Sequence, residues 1–388
     1  MRMIRKLSRW IRIGVVLLGA LLVGFLPLNA PWTIRTPPTT ASGRVPTTIG
    51  DVIDDDEKVW FAVKCVPGIP CQYPEVVDLR VIVLTYNRAA SLQKLLDSLQ
   101  ELVVDDDDVA AMEIWIDANA VNGTAHAETL AVADGFRWRR GRKRVHVQRR
   151  HVGIYGQWID TWRPSGETGS GAWTTREIAL FLEDDLVVSP YAYRWLKAAH
   201  RFYDDRPYVV GYTYQCQDMI ISRTAKAPTL KETLARLNGS TAYLYTVFNT
   251  WGFSPHPHQW RLFQDWFHTV IDNPHFRPYV NEIVQTRWFK SFERQKTSSS
   301  MWSMYFIYFS AKNRLYCVFS NLNRWKNCLA VNRKEKGLHF GGKAIKNDQE
   351  VTRRLMQTWS PDFVNFSDKV MFIDVTGTVI TLPPVGKF

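Results

Sequence analysis

"DLRVIVLTYNR" (residues 78–88) is an apolar run that ends in a polar turn, and its pattern recurs through the first half of the chain. A continuous apolar, β-branched run such as "RVIVL" is typical of a strand buried on both faces. The following "SLQKLLDSLQEL" (residues 91–102) predicts an amphipathic helix, because its leucines recur on one helical face. These are Leu92, Leu95, Leu96, Leu99 and Leu102. The two stretches predict one strand–helix unit.

The same alternation continues to about residue 214. Strand patterns occur at "MEIWID", "KRVHVQ", "EIALFLEDD" and "PYVVGYTY". Helical patterns occur at "AHAETLAVADGF", "GQWIDTW" and "SPYAYRWLKAAHRFY", the last with Ser189 as a predicted N-cap. Alternating strands and helices predict a Rossmann-like, mostly parallel sheet flanked by helices. We assign this α/β part to residues 78–220.

The second half of the chain has a different pattern. Stretches such as "NTWGFSPHPHQWRLFQDWF" (residues 249–267) and "TRWFKSFERQ" are rich in aromatic residues and have no regular alternation. We predict a mixed, aromatic-rich subdomain over residues 221–388. It is expected to cover the crevice of the first part and to receive a second substrate.

Polar residues follow three of the predicted strands, as "TYNR", "DANA" and "EDD". Ligands of such sheets bind beyond the carboxyl ends of the strands, so one crevice would gather these residues. Mg²⁺ and Mn²⁺ prefer carboxylate oxygens and bridge them to phosphates, where they neutralise a diphosphate leaving group. The pattern therefore favours a metal and nucleoside diphosphate site. The alternative is that "EDD" is a solvated turn between a strand and a helix.

The composition sets limits on this interpretation. The chain has 388 residues, 46% of them hydrophobic and 13% aromatic, which is enough for one large core or two moderate ones. Its formal charge of +12 would attract an anionic substrate such as a nucleotide diphosphate. Nucleic acid is not expected as a partner, because "RWRRGRKR" (residues 137–144) is the longest basic run and is typical of a solvated loop.

The N-terminus predicts a membrane anchor. "IGVVLLGALLVGFLPL" (residues 13–28) has the length of a short span, and residues 1–12 before it are basic. We expect a single-pass signal anchor with a cytoplasmic tail, a Pro/Thr-rich stem over residues 29–77, and a lumenal body in the Golgi or the ER. A cleaved signal peptide is the alternative.

Cysteines and glycosylation triplets fit that compartment. Cys65 could pair with Cys71, and Cys317 with Cys328, which leaves one odd thiol. Their spacing does not suggest a zinc site. The triplets "NGT", "NGS" and "NFS" begin at Asn122, Asn238 and Asn365.

Several motifs resemble the A-type-fold (GT-A) glycosyltransferases, family-2-like enzymes among them, and most of all the branch of the β-1,2-N-acetylglucosaminyltransferases. They are "VIVLTYNR", "IWIDANAVNGTAHAETLAVADGF", "RRHVGIYGQW", "FLEDDLVVSP", "NTWGFSP" and "EKGLHFGG". The resemblance implies that Asp185 holds Mn²⁺ or Mg²⁺ on the diphosphate, with His339 as a second ligand. It implies a nucleotide-sugar site made by Thr85, Arg88, Asp117, His151, Gln157, Glu183, Asp184 and Trp251.

One departure concerns the catalytic base. Inverting transfer needs a carboxylate near the acceptor hydroxyl. The branch has an acid pair where this chain has serines, within "TRWFKSFERQKTSSSMWSMYF". We assign Glu293 as the base, with Asp265 and Glu282 as alternatives.

The expected activity is transfer of a sugar from a UDP-sugar to an acceptor hydroxyl on a glycoprotein or glycolipid glycan. The resemblance implies inversion and suggests N-acetylglucosamine as the donor sugar, with hexoses open. The alternatives are a nucleotidyltransferase and a non-catalytic glycan-binding protein of the same fold.

Overall fold

The computed structural model describes residues 68–105, 107–165, 177–216, 240–324, 326–333, 354–375 and 377–380. The strands are β1 Leu79–Thr85, β2 Ala110–Ile116, β3 Arg142–Val147, β4 Ile178–Glu183, β5 Leu186–Val188, β6 Val209–Thr213, β7 Ala242–Tyr245, β8 Phe253–Pro255, β9 Tyr316–Ser320, β10 Ala330–Asn332, β11 Phe372–Ile373 and β12 Val379–Ile380. The helices are α1 Ala89–Gln100, α2 Ala127–Gly135, α3 Gly153–Ile159, α4 Ala192–Tyr203, α5 Pro257–Val270, α6 Val284–Arg294 and α7 Ser303–Lys312.

Ten of these strands form one sheet in the order β12-β11-β7-β9-β6-β8-β4-β1-β2-β3. The neighbours β3, β2, β1 and β4 are parallel, and β6 is parallel to β9. The short strand β8 lies antiparallel between β4 and β6, so the carboxyl ends of β1, β2, β3, β4, β6 and β9 lie at one edge, called here the rim. The predicted fold class, a mostly parallel α/β sheet flanked by helices, is confirmed.

Both faces of the sheet are covered because β1 alternates its side chains between two cores. Leu79, Val81 and Val83 pack in the cluster that contains the leucines of α1. Ile82 and Leu84 belong to the opposite, aromatic-rich cluster, which includes residues of α3, α5 and α7. Strands of both predicted subdomains contribute to the single sheet.

The start of α4 differs from the prediction. The helix begins at Ala192 with Tyr191 at the N-cap position, so the prediction of Ser189 as N-cap was wrong. The Ser189 hydroxyl accepts from the N–H of Tyr191 at 3.1 Å and donates to the carbonyl oxygen of Met356 at 2.7 Å. This bond fastens the start of the helix to a distant part of the chain.

The predicted pairing of Cys317 with Cys328 was also wrong. Cys328 is bonded to Cys216, and Cys317 is a free thiol buried within β9. Cys71 is disulfide-bonded, but its predicted partner, Cys65, lies outside the described residues.

The predicted tail, anchor and most of the stem also lie outside the described residues, as do His339 and Asn238. Within the part of the chain that the structure describes, no helix has the length and apolar character needed to cross a membrane.

Candidate functional site

Thr85 and Asp184 meet at the rim because of strand register. Leu84 of β1 is paired with Glu183 of β4, so the residues that follow each of them are adjacent. The Thr85 hydroxyl donates to Asp184 Oδ2 at 2.7 Å, and both side chains are buried. The parallel sheet therefore brings the ends of two strands into direct contact, as the sequence predicts.

Arg88 stands just beyond β1, at the N-cap position of α1. Its guanidinium pairs with Asp184 and also reaches Asp185, with Nη1 3.3 Å from Oδ2. Its side chain is 32% exposed, so it faces solvent in part. One arginine thus spans two consecutive acids.

The rim holds more acid than its ion pairs can neutralise. Burial, together with the charge of Asp185, raises the pKa of Glu183 to about 8. Burial also raises the pKa of Asp184 to about 6, although Arg88 and the Thr85 hydroxyl act in the opposite direction. Three consecutive acids, two of them in contact with one guanidinium, leave excess negative charge, an arrangement that favours a cation.

Asp185 has an oxygen suited to that cation. Its Oδ1 is buried and forms no hydrogen bond with the described residues. A buried oxygen of this kind costs free energy unless a ligand satisfies it, and hard divalent cations prefer such oxygens.

The described residues contain no group of three or more His, Cys, Asp or Glu arranged to hold a metal ion. Mg²⁺ commonly binds through one or two carboxylates plus substrate phosphates, so an incomplete protein cage fits a metal whose coordination a diphosphate completes. The predicted second ligand, His339, lies outside the described residues.

Arg333 is a rim residue that the sequence reasoning missed. Its backbone N–H donates to the carbonyl oxygen of Asp185 at 2.8 Å, because β10 pairs antiparallel with β5. The residue is buried, which is rare for an arginine without functional or structural cause. The only sequence signal was a charged residue directly after the apolar "LAVN".

Asp117 follows β2 and receives three hydrogen bonds from backbone N–H groups. Oδ1 accepts from Ala118 and Val152, and Oδ2 accepts from Gly153, at 2.9–3.0 Å. His151 Nδ1 also lies 2.8 Å from Oδ2, as an ion-pair contact. These groups surround the carboxylate, and two of the N–H donors lie at the start of α3. Contact with a nucleotide base would require one of these groups to leave. His151 is the movable one, since its Nδ1 also lies 3.1 Å from the carbonyl oxygen of Ala118.

Gln157 and Trp158 support the rim from α3. Gln157 Nε2 donates to the carbonyl oxygens of Thr85 at 3.1 Å and Trp115 at 3.4 Å, which joins the ends of β1 and β2. Trp158 Nε1 donates to Glu183 Oε1 at 2.9 Å. The resemblance predicts a nucleotide-sugar role for Gln157, and the structure gives it a positioning role.

Trp251 lies at the same edge by register. Phe253 of β8 is paired with Phe181 of β4 in antiparallel order, so the residue two places before Phe253 lies level with Glu183. The partly buried Trp251 packs against the core, while Gly252 after it has φ +76° and touches Tyr214 too closely for a side chain.

The candidate bases are engaged elsewhere. Glu293 on α6 pairs through Oε1 with Arg277 Nε at 2.7 Å and accepts a hydrogen bond from the Tyr279 hydroxyl at Oε2. Asp265 is exposed and pairs with Arg163 at 2.8 Å. Glu282 is exposed and has a left-handed backbone, with φ +66°. The contacts that the structure gives these three acids do not include the rim acids.

A Ser–His–Asp arrangement also occurs, between α4 and β8. His200 Nε2 lies 2.9 Å from Ser254 Oγ, and His200 Nδ1 lies 2.9 Å from Asp204 Oδ2. Ser254 and His200 are 1% and 3% exposed, so no substrate reaches the hydroxyl. With Tyr212 donating to Asp204 Oδ1 at 2.7 Å, the group ties α4 to β6 and β8.

No protein-family model matches the sequence, and no curated protein is detectably similar to it. Among solved structures, the chain is similar to a mannosyltransferase, PcManGT, from Pyrobaculum calidifontis, in complex with GDP-Man and Mn²⁺. The two sequences are 14% identical, and the match covers 51% of this chain and 48% of that chain, with a TM-score of 0.30. It is similar to S. aureus TarS 1–349 with 13% identity, 62% and 60% coverage, and a TM-score of 0.32. It is also similar to the apo form of mouse xyloside xylosyltransferase 1, with 11% identity. That match covers 64% of this chain and 86% of that chain, with a TM-score of 0.34.

The chain thus spans about half the length of the mannosyltransferase and less than two thirds of TarS.

Proposed function

We propose that the chain is a metal-dependent glycosyltransferase that moves a sugar from a UDP-sugar to a hydroxyl group of an acceptor glycan, with inversion at the anomeric carbon. The observation that supports this proposal most is the buried, unpartnered Oδ1 of Asp185, beside the Arg88–Asp184 pair and at the carboxyl end of parallel strands. N-acetylglucosamine is the donor sugar that the sequence resemblance favours.

The proposal gives a role to several of the rim residues. Asp185, with His339 as the predicted second ligand, would hold Mn²⁺ or Mg²⁺, which when bound neutralises the charge of the diphosphate leaving group. Asp117 and His151 would contact the nucleobase of the UDP-sugar, and Arg88 would pair with a phosphate. Thr85 and Gln157 fix the ends of the strands so that these groups keep their positions.

Glu293 is proposed as the base that takes the proton of the acceptor hydroxyl. It would have to leave Arg277 or Tyr279 when the acceptor binds, since both of its oxygens are engaged. Glu293→Gln should lower kcat by about 10²–10⁴-fold with little change in the KM of the donor. Glu282→Gln and Asp265→Asn are matched controls, and the variant with the largest loss of kcat identifies the base.

The test of the proposed function is turnover on a panel of UDP-sugars, with Mn²⁺ or with EDTA. Wild-type protein should release UDP from at least one sugar donor only when Mn²⁺ is present. Asp185→Asn should lose this release by a factor on the order of 10³ while it keeps its circular dichroism spectrum. Equal turnover by the variant, or turnover unaffected by EDTA, would refute the assignment.

A second candidate function is glycan binding without catalysis, favoured by the ion pair that engages Glu293. A thermal-shift screen separates the two. Stabilisation by UDP with Mn²⁺ supports the transferase, whereas stabilisation by oligosaccharides alone supports the binding protein.

From the sequence we also infer that residues 13–28 anchor the protein in the Golgi or ER membrane with its body in the lumen. Protease protection of the body in sealed microsomes tests this topology. Digestion of the body without detergent would contradict it.

A further inference from the structure

Arg88 engages carboxylate oxygens next to the one that a metal ion would bind. Its guanidinium contacts Asp184 Oδ1 and lies 3.3 Å from Asp185 Oδ2, while Asp185 Oδ1 remains without a hydrogen bond in the described residues. In this state the guanidinium is a positive charge in contact with both Asp184 and Asp185, the second of which the proposed function assigns to a divalent cation.

Two positive charges cannot share Asp185 without cost. A divalent cation on Asp185 would lie within a few ångströms of the guanidinium, and at such distances like charges repel strongly in a partly buried site. The Arg88–Asp185 contact is the weaker of the two ion pairs, because 3.3 Å is long for a charge-assisted hydrogen bond. We therefore expect the Arg88–Asp185 contact to break when the cation binds.

We propose that Arg88 is an internal counter-ion that leaves Asp185 when a divalent cation binds and then pairs with the phosphates of the nucleoside diphosphate. This inference rests on the proposed function and adds an order of events to it. The metal binds in competition with Arg88, and the released guanidinium strengthens the binding of the nucleotide that follows.

The surroundings of Arg88 allow this exchange. Its side chain is 32% exposed, so part of the guanidinium already faces solvent. Asp184 keeps the Thr85 hydroxyl at 2.7 Å when Arg88 swings away, so it is not left without a hydrogen bond. The arginine also stands at the start of α1, next to helix N–H groups that face an incoming phosphate.

The proposal predicts effects of opposite sign on two ligands. Without Arg88, Mn²⁺ no longer competes with a guanidinium, so Mn²⁺ alone should bind more tightly. The nucleotide loses its cationic partner, so UDP should bind more weakly even at saturating Mn²⁺. A residue that merely stabilises the fold would weaken both or neither.

The experiment compares wild type with Arg88→Met and Arg88→Lys. Mn²⁺ affinity is measured without nucleotide by electron paramagnetic resonance, and UDP affinity at saturating Mn²⁺ by calorimetry. Arg150→Met is the control for loss of a positive charge, because Arg150 is exposed just beyond the carboxyl end of β3 at the same edge.

Arg88→Met should tighten Mn²⁺ binding about tenfold, which corresponds to about 1.4 kcal/mol, and weaken UDP binding at least about tenfold. Arg88→Lys keeps a positive charge but lacks the planar guanidinium that can contact two carboxylates at once. It should therefore change Mn²⁺ affinity less than Arg88→Met does. Arg150→Met should change neither.

Unchanged or weaker Mn²⁺ binding by folded Arg88→Met and Arg88→Lys would overturn the counter-ion inference and leave the proposed function intact. Absence of Mn²⁺ binding by the wild type, with or without UDP, would overturn both. If Arg88→Met fails to fold, the Mn²⁺ affinity of Arg88→Lys decides the question, since a tightening beyond that of Arg150→Met supports the inference.

Discussion

Strand β1 has an arginine near each end, and the two arginines have opposite surroundings. Arg80, the second residue of β1, is fully buried, and its guanidinium is 2.6 Å from Glu113 and forms two bonds to Glu177 at 2.9 and 3.1 Å. Arg88, beyond the other end, is partly exposed and contacts the acids of the rim.

The acids around Arg80 are fully engaged. Glu177 also accepts from the N–H of Val77 at 3.0 Å and from Trp162 Nε1 at 2.7 Å, and Glu113 lies 2.7 Å from His146 Nε2. Burial lowers the pKa of Arg80, but Glu177 and Glu113 outweigh it, so the net direction is upward. Arg144 Nη1 lies 3.4 Å from Glu113 Oε1, so two arginines face the two acids of this cluster.

The rim is not matched in this way. Burial and the charge of Asp185 raise the pKa of Glu183 and of Asp184, one oxygen of Asp185 lacks a hydrogen bond in the described residues, and Arg88 makes one long contact. The same residue types are thus satisfied by ion pairs and hydrogen bonds around Arg80 and only in part at the rim, where we propose that they bind a ligand. We therefore expect substitutions in the two clusters to change the free energy of unfolding by different amounts and in opposite directions.

The largest expected effect on stability is at Arg80. Arg80→Met removes one partner of a buried pair and leaves Glu113 and Glu177 uncompensated, which should cost about 3–5 kcal/mol in the free energy of unfolding. Urea denaturation measures this loss. Arg206→Met is the control, because its partner, Asp368, is 91% exposed, and such surface pairs contribute at most about 1 kcal/mol. Equal losses in the two variants would contradict the comparison.

The effect expected from the charge of Glu183 is smaller for each pH unit than the effect of Arg80→Met. Its pKa of about 8 in the folded protein exceeds its ordinary value of 4.5, so the folded state binds a proton more tightly than the unfolded state. Stability of the metal-free protein should therefore fall as pH rises between these values, by up to about 1.4 kcal/mol per pH unit. Glu183→Gln should flatten this dependence in denaturation curves recorded with EDTA. An unchanged slope would show that Glu183 is not the group concerned.

The smallest effect is predicted for Asp185→Asn in the absence of metal. The substitution removes a charge that repels Glu183 and Asp184 but also a weak contact with Arg88. The free energy of unfolding should stay the same or rise by about 1 kcal/mol. A loss as large as that of Arg80→Met would mean that Asp185 belongs to the framework of the fold.

Much of this architecture could be predicted from local pattern. Apolar runs and the leucines of α1 identify the parallel units, and the rule that strand ends meet at one edge brings Thr85, Arg88 and Asp184 together. Those contacts follow from the register of parallel strands, and the alternation of strand and helix patterns in the sequence predicts that the strands are parallel.

Other features depend on contacts between distant parts of the chain. β8 has only three residues, too few to show a period, yet it lies between β4 and β6. Cys216 and Cys328 are 112 positions apart. Arg80 is part of an apolar run, and only its contacts with Glu113 and Glu177 show why a charge is buried there. The contacts of Asp117 with Val152, Gly153 and His151 depend on the packing of α3 beside β2, which the local sequence pattern does not encode.

Calorimetry of UDP binding, with and without Mn²⁺, shows whether Asp185 joins a divalent cation to a nucleoside diphosphate, as we propose. We expect wild-type protein to bind UDP at least about tenfold more tightly with Mn²⁺ than with EDTA, and Asp185→Asn to show no such difference. Mn²⁺-dependent binding of equal strength in the variant would contradict it.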